Sequence, residues 1–479
     1  MRFRIFALGC FVFIFHCIGA WAQVTAQDRV NVILIHVDDL GWTDLSSFGS
    51  DYFQTPHIDR LAAEGVKFTQ SYAAAAICSP SRVALLTGQY PARTGITDWI
   101  RAKFQGGDLP ADGSNPQGYD AHEGKPLKTP QNYLYMPLEE VTLAELLQES
   151  GYRTAHIGKW HLGPEGYFPE NQGFDENYGG CDLGQPPSYF DPYLPPNEIK
   201  DYVIPNLPPR KEGEYLTDRE GDEAVGFIQR NRDQPFFLHW APYAVHTPIQ
   251  AREELIQKYE EFEGTHHSNP IYAAMIEDLD NNVGKVLDIL EQLNLRRNTL
   301  VIFTSDNGGF LGMGQHPHIT SNQPLRSGKG YPYEGGIRVP TIMSWPGVIP
   351  QGETRDMPII TMDMMPTVLE YTGNSGKLPA TVDGTSLVNI LNDPGQKLER
   401  DLFWHFPHYR QDDVVPYSII RSENHKLIYY HDGSQAELYH LSDDLKETHN
   451  LAFQNPEMVQ RLQKRMENWL AEVNARLPQ

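Results

Sequence analysis

Cysteine is nearly absent from this chain: four in 479 residues, with Cys10 and Cys17 both inside the opening apolar stretch. The remaining pair, Cys78 and Cys181, is too small a set for a disulfide-built scaffold and leaves one bridge or two thiols. Positive charge is also scarce. Lys and Arg number 39 against 62 Asp and Glu, a net charge of −23. That balance excludes a nucleic-acid partner and an anionic membrane surface, and it gives an anionic substrate no long-range attraction. Any sulfate or phosphate group has to be held by a local cluster of cations. Internal repeats and long low-complexity tracts are missing too.

The one sustained apolar run is at the start. Met1-Arg2-Phe3-Arg4 is basic, Ile5 to Ile18 is mostly apolar, and Ala20-Trp21-Ala22 is a small-x-small sequence. This predicts a signal peptide over 1–22, cleaved after Ala22, and an exported protein, periplasmic or secreted. The run is too short for a stable membrane span. The rest is long enough for one large domain and a small one.

Asn31-Val32-Ile33-Leu34-Ile35-His36-Val37 reads as a strand buried on both faces, ending at Asp38-Asp39. Thr142 to Glu145 is a capping box, and its helix is expected to close at Gly151. Strands follow at Arg153–Gly158 and Phe236–Trp240. A helix period over Ile276, Leu279, Val283, Val286 and Leu290 precedes the strand Thr299–Thr304, which runs into Asp306-Asn307. Strands alternating with helices predict an α/β/α sandwich over 23–395, with ligands gathering beyond the carboxyl ends of its strands. From about Gln396 the pattern changes to short strands at 401–406, 417–421, 426–430 and 437–441, then an amphipathic helix at 458–477. This predicts a small antiparallel subdomain over 396–479.

Cys78-Ser79-Pro80-Ser81-Arg82 begins a short predicted helix that stops at Gly88. Pro80 suits the first helical turn, and Cys78 would stand among free N–H groups that favour an anion. Only three residues separate Cys78 from Arg82, too few for the anion-cradling loop of a Cys-dependent phosphatase. Asp38, Asp39, Asp306 and Asn307 are hard oxygen donors suited to Ca²⁺ or Mg²⁺. Lys159 and His161 follow a strand, His246 lies in the turn Val245-His246-Thr247-Pro248, and Lys329 lies in the glycine-rich Arg326-Ser327-Gly328-Lys329-Gly330.

Together these segments resemble the type I formylglycine-dependent sulfatases of the alkaline phosphatase superfamily, along nearly the whole chain. The segment Glu437 to Asp444 and Asn450-Leu451 resembles that family's C-terminal subdomain. The resemblance implies that Cys78 is oxidised to formylglycine by a sulfatase-maturating enzyme, leaving Cys181 as a buried thiol. It implies one Ca²⁺ on Asp38, Asp39, Asp306, Asn307 and the modified residue 78. It further implies that a hydrated aldehyde attacks sulfur, that Arg82, Lys159 and Lys329 offset charge, that His246 protonates the leaving alcohol, and that His161 deprotonates the hydroxyl whose collapse releases sulfate. The expected substrate is a sulfated glycan. The rivals are a phosphonate monoester or phosphodiester hydrolase of the same superfamily and a catalytically dead glycan-binding protein. Phe403-Trp404-His405-Phe406-Pro407-His408-Tyr409 is rich in groups that suit sugars, so His405 and His408 are expected at the substrate. Arg101 and Lys103, in the long insertion after the Cys78 helix, are expected to meet a second anionic group.

Overall fold

A computed structural model describes residues 29–194, 199, 202–207, 211–313, 316–410 and 413–479. The expected signal peptide lies outside them. The buried apolar runs become a central sheet of eight strands: β1 (Asn31–Val37), β2 (Val66–Phe68), β3 (Arg153–Gly158), β4 (Glu176–Tyr178), β5 (Phe236–Ala241), β6 (Thr299–Ser305), β7 (Thr341–Ser344) and β8 (Glu353–Arg355). Their spatial order is β8-β2-β7-β6-β1-β5-β3-β4. The block β6-β1-β5-β3-β4 is parallel throughout, and β7 turns antiparallel against β6.

Side-chain alternation splits the core in two. Ile33, Ile35, Leu238, Trp240 and Phe303 pack on one face with helices α2 (Leu216–Arg230) and α3 (Pro270–Gln292). Val32, Leu34, Phe237, Leu300 and Ile302 pack on the other, against Val83, Leu85 and Leu86 of α1 (Cys78–Thr87). Helices on both faces make the expected α/β/α sandwich. Thr142 caps its short helix through the Glu145 amide, but that helix ends at Gln148, three residues before Gly151.

A second sheet is antiparallel: β9 (Asp401–Phe406), β10 (Tyr417–Ser422), β11 (His425–Tyr430) and β12 (Glu437–His440), in sequence order. Helix α4 (Pro456–Glu472) covers it, shorter at its C-terminal end than its sequence pattern suggests. A buried charge cluster ties this subdomain to the main one. Lys426 on β11 bridges Glu334 at 3.0 Å and Glu447 at 2.8 Å, and all three side chains are fully buried. Burial works against ionised Glu334, but Lys426 and Arg338 overcome it and hold its carboxyl down near 2, whereas burial keeps Glu447 up near 7. Lys426→Met takes the lysine from Glu447 and leaves Glu334, facing it, with Arg338 as its ion-pair partner, and is expected to cost about 3–5 kcal/mol. Glu447, already raised by burial, is raised further without the lysine that lowers it, so the loss grows as pH rises and is larger at pH 8 than at pH 5. Thermal unfolding at the two pH values checks this; an unchanged Tm would mean that the cluster does not tie the subdomains together.

Among the described residues, no helix is long and apolar enough to cross a membrane.

Candidate active site

The site forms where β1 and β6 end side by side. Their register pairs Val37 with Ser305, so Asp38-Asp39 and Asp306-Asn307 leave the sheet together. The Asp39 amide donates to Asp306 Oδ1 at 3.2 Å, with Asp39 in the left-handed region at φ 58°. Gly158 ends β3 at φ 97°, where a Cβ would fall 2.1 Å from the Ala241 carbonyl oxygen. This close approach delivers Lys159 to the same strand ends. Cys78 opens α1, with the extended Ile77 before it and Gly88 closing the helix in the left-handed region.

The cations and carboxylates interlock. Arg82 binds Asp306 Oδ2 through Nε at 3.0 Å and Nη2 at 2.9 Å, and donates to the Lys159 carbonyl. Lys159 Nζ lies 2.6 Å from Asp38 Oδ2. Lys329 Nζ lies 2.7 Å from Asp39 Oδ1 and 3.1 Å from His246 Nε2. Arg82, Lys159, Asp38 and Asp306 are 0–1 % exposed, so each charge depends on these partners. Burial opposes ionisation of Asp306, but Arg82 and Lys159 hold its carboxyl far below the usual range. Asp38 goes the other way: burial raises it more than Lys159 lowers it. Burial likewise pushes the Cys78 thiol up, yet Lys159, Lys329 and a hydrogen bond with His246 bring it down to about 6. Cys181 is a free buried thiol pushed up to about 12 by burial.

The two histidines have different tautomeric constraints. His161 Nε2 donates to the Ile100 carbonyl at 2.7 Å. Burial, then Lys159, hold the ring well below its usual pKa, so it is neutral and Nδ1 carries the lone pair. His246 Nδ1 donates to its neighbour's carbonyl, that of Thr247, leaving Nε2 for Lys329 and the cavity. Burial and Lys329 disfavour protonated His246, but Asp39 and Asp38 outweigh them and raise its pKa.

Asp38, Asp39, Cys78 and His246 each offer a ligand atom within 4.8 Å of one another. Asp38 Oδ1 and Asn307 Oδ1 are buried and accept no hydrogen bond among the described residues. Buried oxygens left in this state are costly unless a cation meets them, so the donor set fits a hard metal ion.

Cys78, His161, His246 and Lys329 line one cavity of about 190 Å³. Trp99, Gln185 and Arg410 also line it, and the sequence motifs did not single them out for it. Trp99 stands two residues before Arg101; Arg410 directly follows the aromatic segment Phe403 to Tyr409. Asp44 was missed altogether. It accepts from Gly41 N, Tyr272 and Thr320, bracing the turn that carries Asp39.

Four expected substrate residues are not among the cavity-lining residues. His405 is buried with Nδ1 at Ser418 Oγ and Nε2 at the Arg476 carbonyl. His408 is buried against Thr97 Oγ1. Burial brings both rings down to about 3, so they are neutral packing groups. Strand β9 turns His405 towards β10 rather than towards Cys78. Arg101 is exposed over the Trp99 ring, and Lys103 is exposed beside Asp182.

Comparison with known proteins agrees with this architecture. The Sulfatase family model matches residues 30–374, and the model for the C-terminal region of N-sulphoglucosamine sulphohydrolase matches 328–476. A sulfatase of Formosa agariphila is 34% identical, with 94% of this chain and 90% of that protein covered. Human N-acetylgalactosamine-6-sulfatase is 33% identical, with 84% and 72% covered. The crystal structure of Ps i-CgsB in complex with k-i-k-neocarrahexaose superposes with a TM-score of 0.75 at 29% identity, covering 92% of this chain and 93% of that one.

Proposed function

Since the chain belongs to the sulfatase family and is a sulfuric ester hydrolase, we propose that it removes sulfate from a sulfated carbohydrate through a formylglycine made from Cys78. The observation that carries the reading is the convergence of Cys78, Lys159, Lys329 and two differently constrained histidines on three buried carboxylates. The carbohydrate assignment is supported by relatives whose names and bound ligand are of that class.

A Ca²⁺ ion held by Asp38, Asp39, Asp306 and Asn307 would supply fixed positive charge facing the ester oxygens. Residue 78, oxidised to an aldehyde and hydrated, would supply the attacking hydroxyl, at the N-terminus of α1 where negative charge is favoured. Lys159 and Lys329 reduce the cost of ionising a group at position 78, as their effect on the thiol indicates. Arg82 holds Asp306 and the Lys159 backbone in place. His246 presents Nε2 to the leaving oxygen; the carboxylates favour its protonated form, and Lys329 stands beside it to compensate once the proton is gone. His161, neutral with a free Nδ1 lone pair, serves as the base that resets residue 78. The protein is exported, and it requires a maturation enzyme for Cys78.

His246→Ala tests the division of labour. Loss of the proton donor is expected to slow hydrolysis of sugar sulfates by about 10²–10⁴-fold. An activated aryl sulfate, whose phenolate departs unaided, should lose far less. Equal losses on both esters would remove His246 from the leaving-group role.

A further inference from the structure

The C-terminal subdomain sends one side chain into the catalytic cavity. Arg410 lies on the connection between β9 and β10, where its backbone amide is tied to the Val414 carbonyl. Its guanidinium crosses Gly330, the residue after Lys329, and Nη1 donates to the Lys329 carbonyl at 3.1 Å. Gly330 makes that crossing possible. It adopts φ 87°, and a Cβ there would fall 0.9 Å from Arg410 Nη1. The missing side chain is therefore the seat of the guanidinium. Gly330 is fixed on its other side by donating its amide to the Ala76 carbonyl, two residues before Cys78. Arg410 thus borders the same cavity as Cys78, His161 and His246.

The surroundings define what Arg410 can hold. The same cavity carries the indole of Trp99, partly exposed and 6.5 Å from the His161 ring, and the amide of Gln185. Next to Trp99 stands Asp98, which takes the Trp99 amide on Oδ1. The charges of Arg101 and Arg410 both act on that carboxyl. A second anionic group beside Arg410 would stand against the charge of this carboxyl, to which Arg410 is already coupled. A sugar ring bearing free hydroxyls meets a flat indole face, a guanidinium donor and an amide in this cavity, groups suited to neutral hydroxyls.

We propose that Arg410 is a specificity-determining residue that holds a hydroxyl of the sugar ring carrying the sulfate. This rests on the sulfatase reading given above. It makes the C-terminal subdomain part of the substrate site through Arg410, rather than through His405 or His408. Lys329 acts on the ester, and Arg410, one residue along the same wall, acts on the ring.

The test compares wild type, Arg410→Ala and Arg410→Lys. The probes are monosulfated galactose and N-acetylgalactosamine regioisomers, deoxy analogues lacking a hydroxyl beside the sulfate, a disulfated galactose and 4-nitrophenyl sulfate. On the best sugar, Arg410→Ala should lower kcat/KM by about 10–100-fold, the scale of a hydrogen bond to a charged group. Its loss on the aryl sulfate should be at least about tenfold smaller. Wild type should lose a similar factor on one deoxy analogue, and Arg410→Ala should lose little more on that analogue. Arg410→Lys should fall between the two because it keeps the charge but not the planar fork. Equal losses on sugar and aryl esters would make Arg410 a support for Lys329 and overturn the proposal. A loss confined to the disulfated sugar would overturn it in favour of a second anion. A wild type that turns over no sulfate ester would overturn the sulfatase reading as well, so the two failures are distinct.

Discussion

Cys78→Ala eliminates sulfate ester turnover while leaving the fold intact. The expected loss is at least about 10⁴-fold in kcat, because the proposed nucleophile is removed. Lys159 and Lys329 are donors only, His161 has one free lone pair positioned as a base, and the Asp38 and Asp39 carboxylates are held by those lysines. Stability should change little. The side chain is small, at the first position of α1, and the helix remains held by Val83, Leu85 and Leu86 on the sheet. The Tm is expected to stay within a few degrees, so loss of activity cannot be ascribed to unfolding. Activity retained by Cys78→Ala would move the chemistry to another group.

Asp306→Ala has the opposite profile, with stability and activity falling together. Arg82 is 1 % exposed and binds Asp306 Oδ2 through two nitrogens. Its nearest other carboxylate contact is Asp38 Oδ1 at 3.8 Å. Removing Asp306 leaves a buried guanidinium with its main counter-charge gone, at a cost of about 3–5 kcal/mol. It also releases the Asp39 amide, so the turn bearing Asp38 and Asp39, two of the proposed metal ligands, loses a tie to the end of β6. The expected result is a Tm lower by several degrees and turnover reduced to background, with added Ca²⁺ failing to restore wild-type Tm. A variant with wild-type stability would contradict the argument that Arg82 depends on this partner.

How much of this was legible in the sequence depends on how local each feature is. The strands β1 and β6 are continuous apolar runs, so they and the acidic pairs after them could be read directly. Their adjacency could not: it comes from the Val37–Ser305 register, which brings together residues 268 positions apart. Pro80 and Gly88 marked the two ends of α1, and the structure places both where turn chemistry puts them. The reading of His405 and His408 used composition alone. Aromatic and histidine density cannot say which way side chains turn, and here β9 turns His405 onto Ser418 while the connection after β9 sets His408 against Thr97. Arg410 had no motif because its place is made by Gly330, 80 residues earlier, whose absent side chain only the folded chain reveals. The brace around Asp44 was invisible for the same reason, being assembled from Gly41, Tyr272 and Thr320.

The account turns on the chemical state of residue 78. The most direct measurement is the mass of the tryptic peptide Phe68–Arg82, taken from protein whose sulfatase activity has been measured on the same sample. The account predicts an aldehyde, with oxygen in place of the sulfur and two hydrogens fewer, or its hydrate, heavier by one water, in a fraction that rises in proportion to kcat across preparations of differing maturation. Fully active protein carrying only the unmodified Cys78 thiol would contradict it.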